Sequence, residues 1–213
     1  NGKLKEKNPG HIRYMTENER LLDVVNVNRK LEEKALGVDL IYHLREFRLI
    51  AMVQYKRIDK GVYYASSDKN YAKEIDRMKN SAHKFKIPNN VNVHISHKYF
   101  RLNPDPFYLK LCPDSSLTKN KYVSGACLPL DQWDRLMKSD FCQTKSGRNK
   151  LENADLQGRY LKSREFISLV KRGMLGGYIK DLKQLGKIMI ELSEEKHIVV
   201  AAIETPGRDY IDQ

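Results

Sequence analysis

Three polar residues in the first third of the chain have types and a spacing that could support chemistry on a phosphate. Asp39 opens one β-leaning run, and Gln54 and Lys56 lie near the end of the next. Strand alternation places Gln54 and Lys56 on one face and Tyr55 on the other. Pairing the two runs as a hairpin would bring Asp39 to the same end of the sheet. Because a buried ammonium needs a counter-charge, we expect a carboxylate or a phosphate beside Lys56.

The natural partners of Lys56 are Asp39 and a carboxylate from the preceding helix. A simpler interpretation of the same residues stays open at this point. Asp39 and Lys56 would then form a cross-strand ion pair at the end of the sheet, and Gln54 would be a strand residue with local hydrogen bonds.

The segments Gly37-Val38-Asp39 and Gln54-Tyr55-Lys56 resemble the motifs of the PD-(D/E)xK nuclease superfamily. The resemblance is to its Gln-x-Lys variant, found in Mrr-type restriction enzymes and related bacterial defence nucleases. It implies an α/β fold with a mixed central sheet flanked by helices, the restriction-endonuclease-like core. It also implies an acid on the preceding helix, for which Glu33 and Glu17 are our choices ahead of Glu19.

By this resemblance the protein would be a metal-dependent endonuclease that hydrolyses phosphodiester bonds of DNA, with a role in anti-phage defence. Asp39, Gln54, Lys56 and Glu33 would be catalytic, and Asp39, Gln54 and Glu17 would hold the metal. Oxygen ligands favour Mg²⁺ or Mn²⁺ over zinc. Val38 replaces the proline that names the motif, and Gln54 replaces an acid, so a decayed site is the alternative reading.

The elements that must position these residues follow from periodicity. Thr16 and Glu19 have capping-box spacing, and the apolar residues after them predict a helix to about Glu33. Apolar spacing and turn signals predict the remaining elements. They are the hairpin 38–42 with 48–55, helices over 67–84, 163–171 and 179–192, strands over 91–95, 107–111 and 197–203, and polar loops over 114–120 and 140–157.

We expect residues 1–14 to be a flexible lead-in, 15–206 to be a single nuclease-like domain, and 207–213 to be a tail. The motif resemblance covers about residues 16–80, and residues 114–206 would form a helical and strand extension.

The charge of the chain indicates a polyanionic partner. Its 213 residues contain 39 Lys and Arg against 27 Asp and Glu, a net charge of +12. Lysine and arginine bind phosphates with release of counterions. Lys69, Lys73, Arg77 and Arg148 are the predicted nucleic-acid contacts, although a solvated cationic surface would have the same composition.

DNA is the preferred partner, while RNA as substrate and a catalytically inactive binding module stay open as alternatives. A homodimer or a larger defence complex is a further expectation. No run of about 18 apolar residues predicts a membrane span, and a cytoplasmic location is expected.

Two other kinds of site are disfavoured by the sequence. His94 and His97 lie three apart on an expected strand, so they would point to opposite faces and could not chelate one ion. Cys112, Cys127 and Cys142 have no short spacing, which is typical of reduced thiols rather than of a zinc site or a disulfide framework.

Overall fold

The computed structural model describes residues 3–27, 35–89, 97–113, 124–144, 149–152 and 154–192. Eleven strands lie in these ranges: β1 (Lys3–Asn8), β2 (His11–Met15), β3 (Leu21–Asn26), β4 (Leu40–Leu44), β5 (Leu49–Ile58), β6 (Val62–Tyr64), β7 (Phe107–Pro113), β8 (Ala126–Pro129), β9 (Lys150–Glu152), β10 (Leu161–Lys162) and β11 (Gly177–Tyr178). The same ranges contain four α-helices: α1 (Tyr71–Ser81), α2 (Leu130–Lys138), α3 (Ser163–Lys171) and α4 (Leu182–Leu192).

Nine of these strands form one mixed sheet in the order β1-β2-β3-β4-β5-β7-β8-β10, with β11 paired to the start of β5. Neighbours are antiparallel except β5 and β7, which run parallel over Met52–Ile58 and Phe107–Pro113. Strands β6 and β9 form a separate two-stranded ribbon. The expected α/β class with a mixed central sheet is therefore confirmed.

Helices cover both faces of the sheet. On one face, Ile50 and Met52 of β5 belong to the same apolar cluster as buried residues of α1, α2 and α4. On the other, Leu49, Ala51 and Val53 pack with Phe166 and Val170 of α3. Strand β5 is thus buried on both sides, which explains its unbroken apolar run.

The predicted hairpin is confirmed, with β4 and β5 antiparallel and Leu40 opposite Val53. Other predictions are confirmed with small shifts of boundary. The helix over 67–84 is α1 followed by a 3₁₀ turn, 163–171 is α3, 179–192 contains α4, and 107–111 lies in β7. The predicted loop 140–157 contains the short strand β9. The strands predicted at 91–95 and 197–203, and the loop at 114–120, lie outside the described residues.

The predicted helix from Thr16 is wrong where the structure describes the segment, because residues 21–26 form β3. Leu22 packs on the α3 side of the sheet and Val25 on the opposite side, so its apolar residues serve both faces of a strand. Thr16 caps a turn instead of a helix: its backbone N–H donates to the Arg20 carbonyl over 2.8 Å, and its Oγ1 accepts from the Arg20 N–H over 3.1 Å.

The expected lead-in also differs from the structure. Residues 3–8 and 11–15 form β1 and β2, which extend the sheet beyond β3. None of the helices in the described part of the chain is both long enough and apolar enough to cross a membrane.

Candidate active site

Asp39 is fixed at the start of β4, beside the second half of β5. Its backbone N–H donates to the Val53 carbonyl over 2.9 Å, and its carboxylate accepts the Tyr55 backbone N–H over 2.7 Å. The side chain therefore replaces the next backbone bond of the ladder. With only 7% of the residue exposed, the carboxylate is held at the end of the hairpin where Gln54 and Lys56 also lie.

Lys56 is a buried cation with two carboxylate partners. Its residue is 3% exposed, and its Nζ donates to Asp68 over 2.5 Å and also to Glu74. The ammonium lies 5.6 Å from the centre of the Tyr71 ring, within cation–π range. Two anions and one aromatic face thus compensate the loss of water around the charge.

Asp68 is kept ionised by its neighbours. Burial raises the pKa of this carboxyl, but hydrogen bonds from Lys56 and from the Tyr63 hydroxyl, the latter 3.0 Å long, bring it below its ordinary value. Burial and the nearby Asp68 raise the pKa of Tyr63, so the phenol stays protonated and continues to donate. Lys56, Asp68, Glu74 and Tyr63 therefore form one connected hydrogen-bond network.

Gln54 lies on the same face as Lys56 and carries an unsatisfied oxygen. The residue is 5% exposed, and within the described part of the chain its buried Oε1 has no hydrogen-bond partner. Its Nε2 makes only a long contact of 3.5 Å with the Tyr55 carbonyl. A buried acceptor left without a donor costs about 1–3 kcal/mol. An oxygen of this kind is suited to meet a cation or a bound water.

Gly37 explains how α1 reaches the site. Its φ is +70°, and a Cβ built there would lie 2.9 Å from the Glu74 carbonyl oxygen and 3.0 Å from the Glu74 Cα. The backbone of α1 therefore touches the chain two residues before Asp39. Only glycine combines this conformation with so close an approach, so Gly37 helps to position Glu74 next to Lys56.

The structure brings Asp39, Gln54 and Lys56 to one end of the β4–β5 hairpin, and Gln54 and Lys56 share one face of β5, as the alternation predicts. The Asp39 carboxylate is bonded to the Tyr55 backbone and lies near the side chains of Tyr55 and Cys112, whose pKa values burial raises and this carboxylate raises further. The partners of Lys56 differ from the expectation, because its bonded carboxylates come from the segment after β5 rather than from Asp39 or a preceding helix. Glu74 could have been noticed in the sequence. It shares the inner face of α1 with Tyr71, Ile75 and Met78, where an acid needs a buried partner.

Glu17 does not accompany Asp39. It lies exposed in the turn between β2 and β3, at the end of the sheet where β4 finishes, whereas Asp39 precedes β4. The intervening ladder of paired residues spans about 13 Å, so the assignment of Glu17 as a ligand of the same metal is wrong. Glu33 lies outside the described residues. Glu19 lies in the same turn as Glu17.

The candidate ligands for a cation at this end of the hairpin are side-chain oxygen atoms, and they are few. Among the residues that the structure describes, no group of three His, Cys, Asp or Glu side chains could hold a metal. The carboxylate of Asp39 and the unpartnered carbonyl oxygen of Gln54 lie at the same end of the hairpin, and oxygen donors favour Mg²⁺ or Mn²⁺ over zinc.

Three of the predicted phosphate contacts form a stripe, with Lys69 in the turn before α1 and Lys73 and Arg77 on the helix. The three are spaced four residues apart, are exposed, and form no ion pair within the described ranges. Lys79, on another side of the helix, instead pairs with Asp134 over 2.5 Å. The stripe residues are therefore the cations of this segment best placed to meet a polyanion. Arg148, the fourth predicted contact, lies outside the described residues.

A second ionic cluster ties β2, β3 and β4 together. Asp23 is fully buried, and its carboxylate accepts hydrogen bonds from Arg13 over 2.7 Å and from Arg45 over 2.8 Å, with His11 at 3.0 Å. Burial alone would raise the pKa of Asp23, but the surrounding donors hold it far below its ordinary value. Since Arg13, Asp23 and His43 are cross-strand neighbours, the cluster fixes strand pairing.

The cysteines are not nucleophiles. Cys112, Cys127 and Cys142 are free and buried. Burial raises the pKa of Cys112 to about 11 and of Cys127 to about 12, so both stay protonated thiols at neutral pH. His97 lies in a 3₁₀ turn rather than on a strand, and His94 lies outside the described residues.

Comparison of the chain with protein-family models, curated proteins and solved structures finds no match. The case for a function therefore depends on the site itself.

Proposed function

We propose that the chain is a metal-dependent endonuclease with a restriction-endonuclease-like core, and that Asp39, Gln54 and Lys56 form its active site. One observation carries the proposal. The motif that ends at Asp39 leads into β4 and lies beside the Gln54-Tyr55-Lys56 motif of β5, so a buried carboxylate, an unpartnered buried oxygen and a buried lysine lie at one end of the hairpin. DNA as substrate and anti-phage defence as context follow from the resemblance and belong to the same proposal, together with the cytoplasmic location expected from the sequence.

Asp39 and Gln54 would hold the magnesium or manganese ion. The chemistry supplied by the bound ion is neutralisation of charge on the phosphate and a lower pKa for an attacking water. The chain provides the orientation. The Tyr55 backbone N–H donates to the carboxylate of Asp39 and so fixes the orientation of this side chain.

Lys56 would orient the attacking water or stabilise charge on the phosphate in the transition state. The ammonium has three N–H donors, of which Asp68 and Glu74 accept two, so the third would meet the water or the phosphate. The approach would be from the side of Asp68, because its side chain is 24% exposed whereas that of Glu74 is 8% exposed. Glu74 would keep Lys56 in place.

The DNA backbone would run along the stripe of Lys69, Lys73 and Arg77. The stripe begins next to Asp68 and continues on the helix that carries Glu74, so a phosphate held there would lie near Lys56. A cut in both strands would need two such sites, for which a homodimer is the simplest assembly.

One observation favours a second candidate function. The charge of Lys56 is already met by two carboxylates, and Gln54 supplies a neutral oxygen where an acid would bind a metal more strongly. A protein that has kept the fold and the basic surface but lost catalysis would show the same features. It would act as a nucleic-acid-binding or interaction module.

The deciding experiment compares the wild type with Asp39→Asn and Lys56→Ala, and with Asp76→Asn as a control on the exposed side of α1. Each protein is incubated with supercoiled plasmid or single-stranded RNA, in Mg²⁺, in Mn²⁺ and with chelator. We expect metal-dependent plasmid cutting that falls about 100-fold or more in both site variants and is unchanged in the control.

Three other outcomes are informative. Salt-sensitive binding without cutting by the wild type would support the binding module. Cutting of RNA alone would transfer the proposal to an RNA substrate. Equal cutting by the wild type and by both site variants would show that the assigned residues are not the active site.

A further inference from the structure

A cavity of about 270 Å³ lies at the opposite end of β5 from Lys56. It is lined by Arg20 from the β2–β3 turn, by Phe47 before β5, by His97 and Phe100, and by Arg172 at the end of α3. Phe47 precedes β5 and Lys56 lies near its end, a separation of about 23 Å or more along the strand. The cavity is therefore distinct from the candidate active site.

The electrostatics of this cavity favour an anion. Arg20 and Arg172 line it together with His97, and none of the lining residues that the structure describes is acidic. The closest acid in sequence, Glu46, accepts a hydrogen bond from the Leu21 backbone N–H over 2.8 Å. Glu17 and Glu19 of the β2–β3 turn are exposed to solvent.

A buried arginine beneath the lining adds to this positive charge. Arg101 is 9% exposed and donates only to backbone carbonyls, those of Phe47 over 2.7 Å, Phe100 over 2.9 Å and Lys98 over 3.0 Å. Its buried Nε has no partner among the described residues. Burial lowers the pKa of Arg101 to about 10, so it stays a cation at neutral pH, and no carboxylate of the described residues is bonded to it.

The apolar part of the cavity favours a flat ring. Phe100 is 51% exposed, so a face of its ring is available for stacking. The guanidinium of Arg20 lies 4.4 Å from the centre of the Phe47 ring, so the cation stacks over an aromatic floor. Gly173 allows this floor to form, because a Cβ at its position would lie 2.7 Å from the Phe47 ring.

We propose that this cavity binds a nucleoside phosphate, with the phosphate at Arg20 and Arg172 and the base against Phe100. The volume of about 270 Å³ lies just below the range of small-molecule pockets, about 300–1,000 Å³, so the cavity suits a ligand no larger than one nucleotide and excludes a duplex. Base stacking on an aromatic side chain and arginine contacts to phosphate are the two standard elements of such recognition. The ligand is either a free nucleotide or the terminal nucleotide of a single strand. The inference is independent of the proposed nuclease activity.

The test is calorimetric titration of the full chain with AMP, adenosine, inorganic phosphate and a 5′-phosphorylated tetranucleotide. We expect AMP to bind at least about tenfold more tightly than adenosine or phosphate alone, because only AMP uses both the arginines and the ring. Arg172→Gln and Phe100→Ala should each weaken AMP binding by about tenfold. Arg164→Gln, which removes an exposed arginine from the start of the same helix, should change it less than twofold.

The two sources of the ligand are separated by the tetranucleotide. Tighter binding of AMP identifies a free nucleotide, and tighter binding of the tetranucleotide that is lost in Arg172→Gln identifies a strand end. The proposal is overturned if AMP does not bind at millimolar concentration, if adenosine or phosphate binds as well as AMP, if an acidic phenylalanine-containing peptide binds more tightly, or if Arg164→Gln weakens binding as much as Arg172→Gln. Asp39→Asn should bind AMP normally, so loss of cutting and loss of nucleotide binding are distinguishable.

Discussion

At the residue scale, the sequence predicts that Lys56 is buried and paired, but not with which acids. A lysine that follows an apolar strand must carry a counter-charge, whatever the fold. The identity of the partners depends on how α1 packs across the sheet, which is a tertiary choice made partly at Gly37. Asp68 and Glu74 therefore could not be assigned from spacing along the strands. Local alternation was enough to place Gln54 beside Lys56.

The network around Lys56 should make Glu74 important for stability. Glu74→Gln leaves the buried ammonium with Asp68 alone, and we expect the free energy of unfolding to fall by about 2 kcal/mol, somewhat below the 3–5 kcal/mol for breaking a buried pair outright. Urea unfolding of Lys56→Met, Glu74→Gln and the double variant measures the coupling, and the double variant should lose less than the sum of the single losses.

Asp134→Asn is the control for this prediction. Asp134 lies on α2 and pairs with Lys79, which is on the same helix as Glu74. The side chains of Lys79 and Asp134 are 38% and 26% exposed. Exposed pairs contribute about 0–1 kcal/mol. Equal losses in Glu74→Gln and Asp134→Asn would show that Lys56 does not depend on its buried carboxylate.

At the element scale, periodicity identified the elements whose apolar residues follow one pattern and failed where two patterns fit. The apolar residues of α1 and α3 each follow one helical face, and both helices were predicted close to their observed limits. In Leu21-Leu22-Asp23-Val24-Val25 the apolar residues fit a helical face as well as a two-sided strand. The strand wins because β2 and β4 pair with it on both edges, and because Asp23 finds its partners there.

The exposed stripe of Lys69, Lys73 and Arg77 belongs to this scale, because its cations are positioned by α1 and the turn that leads into it. The triple variant Lys69→Gln, Lys73→Gln and Arg77→Gln should weaken DNA binding. It should also reduce the slope of log K against log salt concentration by about 3, since each phosphate contact contributes about 0.9. Fluorescence anisotropy with a labelled duplex, measured over a range of salt concentrations, gives both quantities.

A matched control removes the same number of charges from ion pairs. Lys79 and Lys138 pair with Asp134, and Arg135 pairs with Asp131. Their triple change to Gln alters the net charge equally, yet it should leave the salt dependence close to that of the wild type. If both triple variants change the slope equally, DNA responds to the overall charge of +12 and not to the stripe.

At the scale of the whole molecule, the first fifteen residues matter more than their composition indicates. A lysine-rich start is typical of a flexible segment, but Lys3, Lys5 and Lys7 also alternate along β1, the outermost strand of the sheet. Charged residues on an edge strand discourage pairing with other chains. The lysine-rich composition of this segment is visible in the sequence. Its structural reason, protection of an edge strand, depends on the order of the strands, which local patterns do not specify.

Removal of residues 1–8 should expose β2 as a new edge and make the protein self-associate. The deletion also takes Glu6 away from Arg13, which it contacts over 2.8 Å. We expect a fall in Tm of about 4–8 °C, corresponding to roughly 2 kcal/mol in a domain of this size, and an apparent mass in light scattering that rises with concentration. Replacing Lys3, Lys5 and Lys7 by Thr keeps the strand but removes its charges, so this variant should self-associate with little change in Tm. An unchanged Tm and mass after the deletion would mean that residues 3–8 are a lead-in and contribute nothing to the sheet.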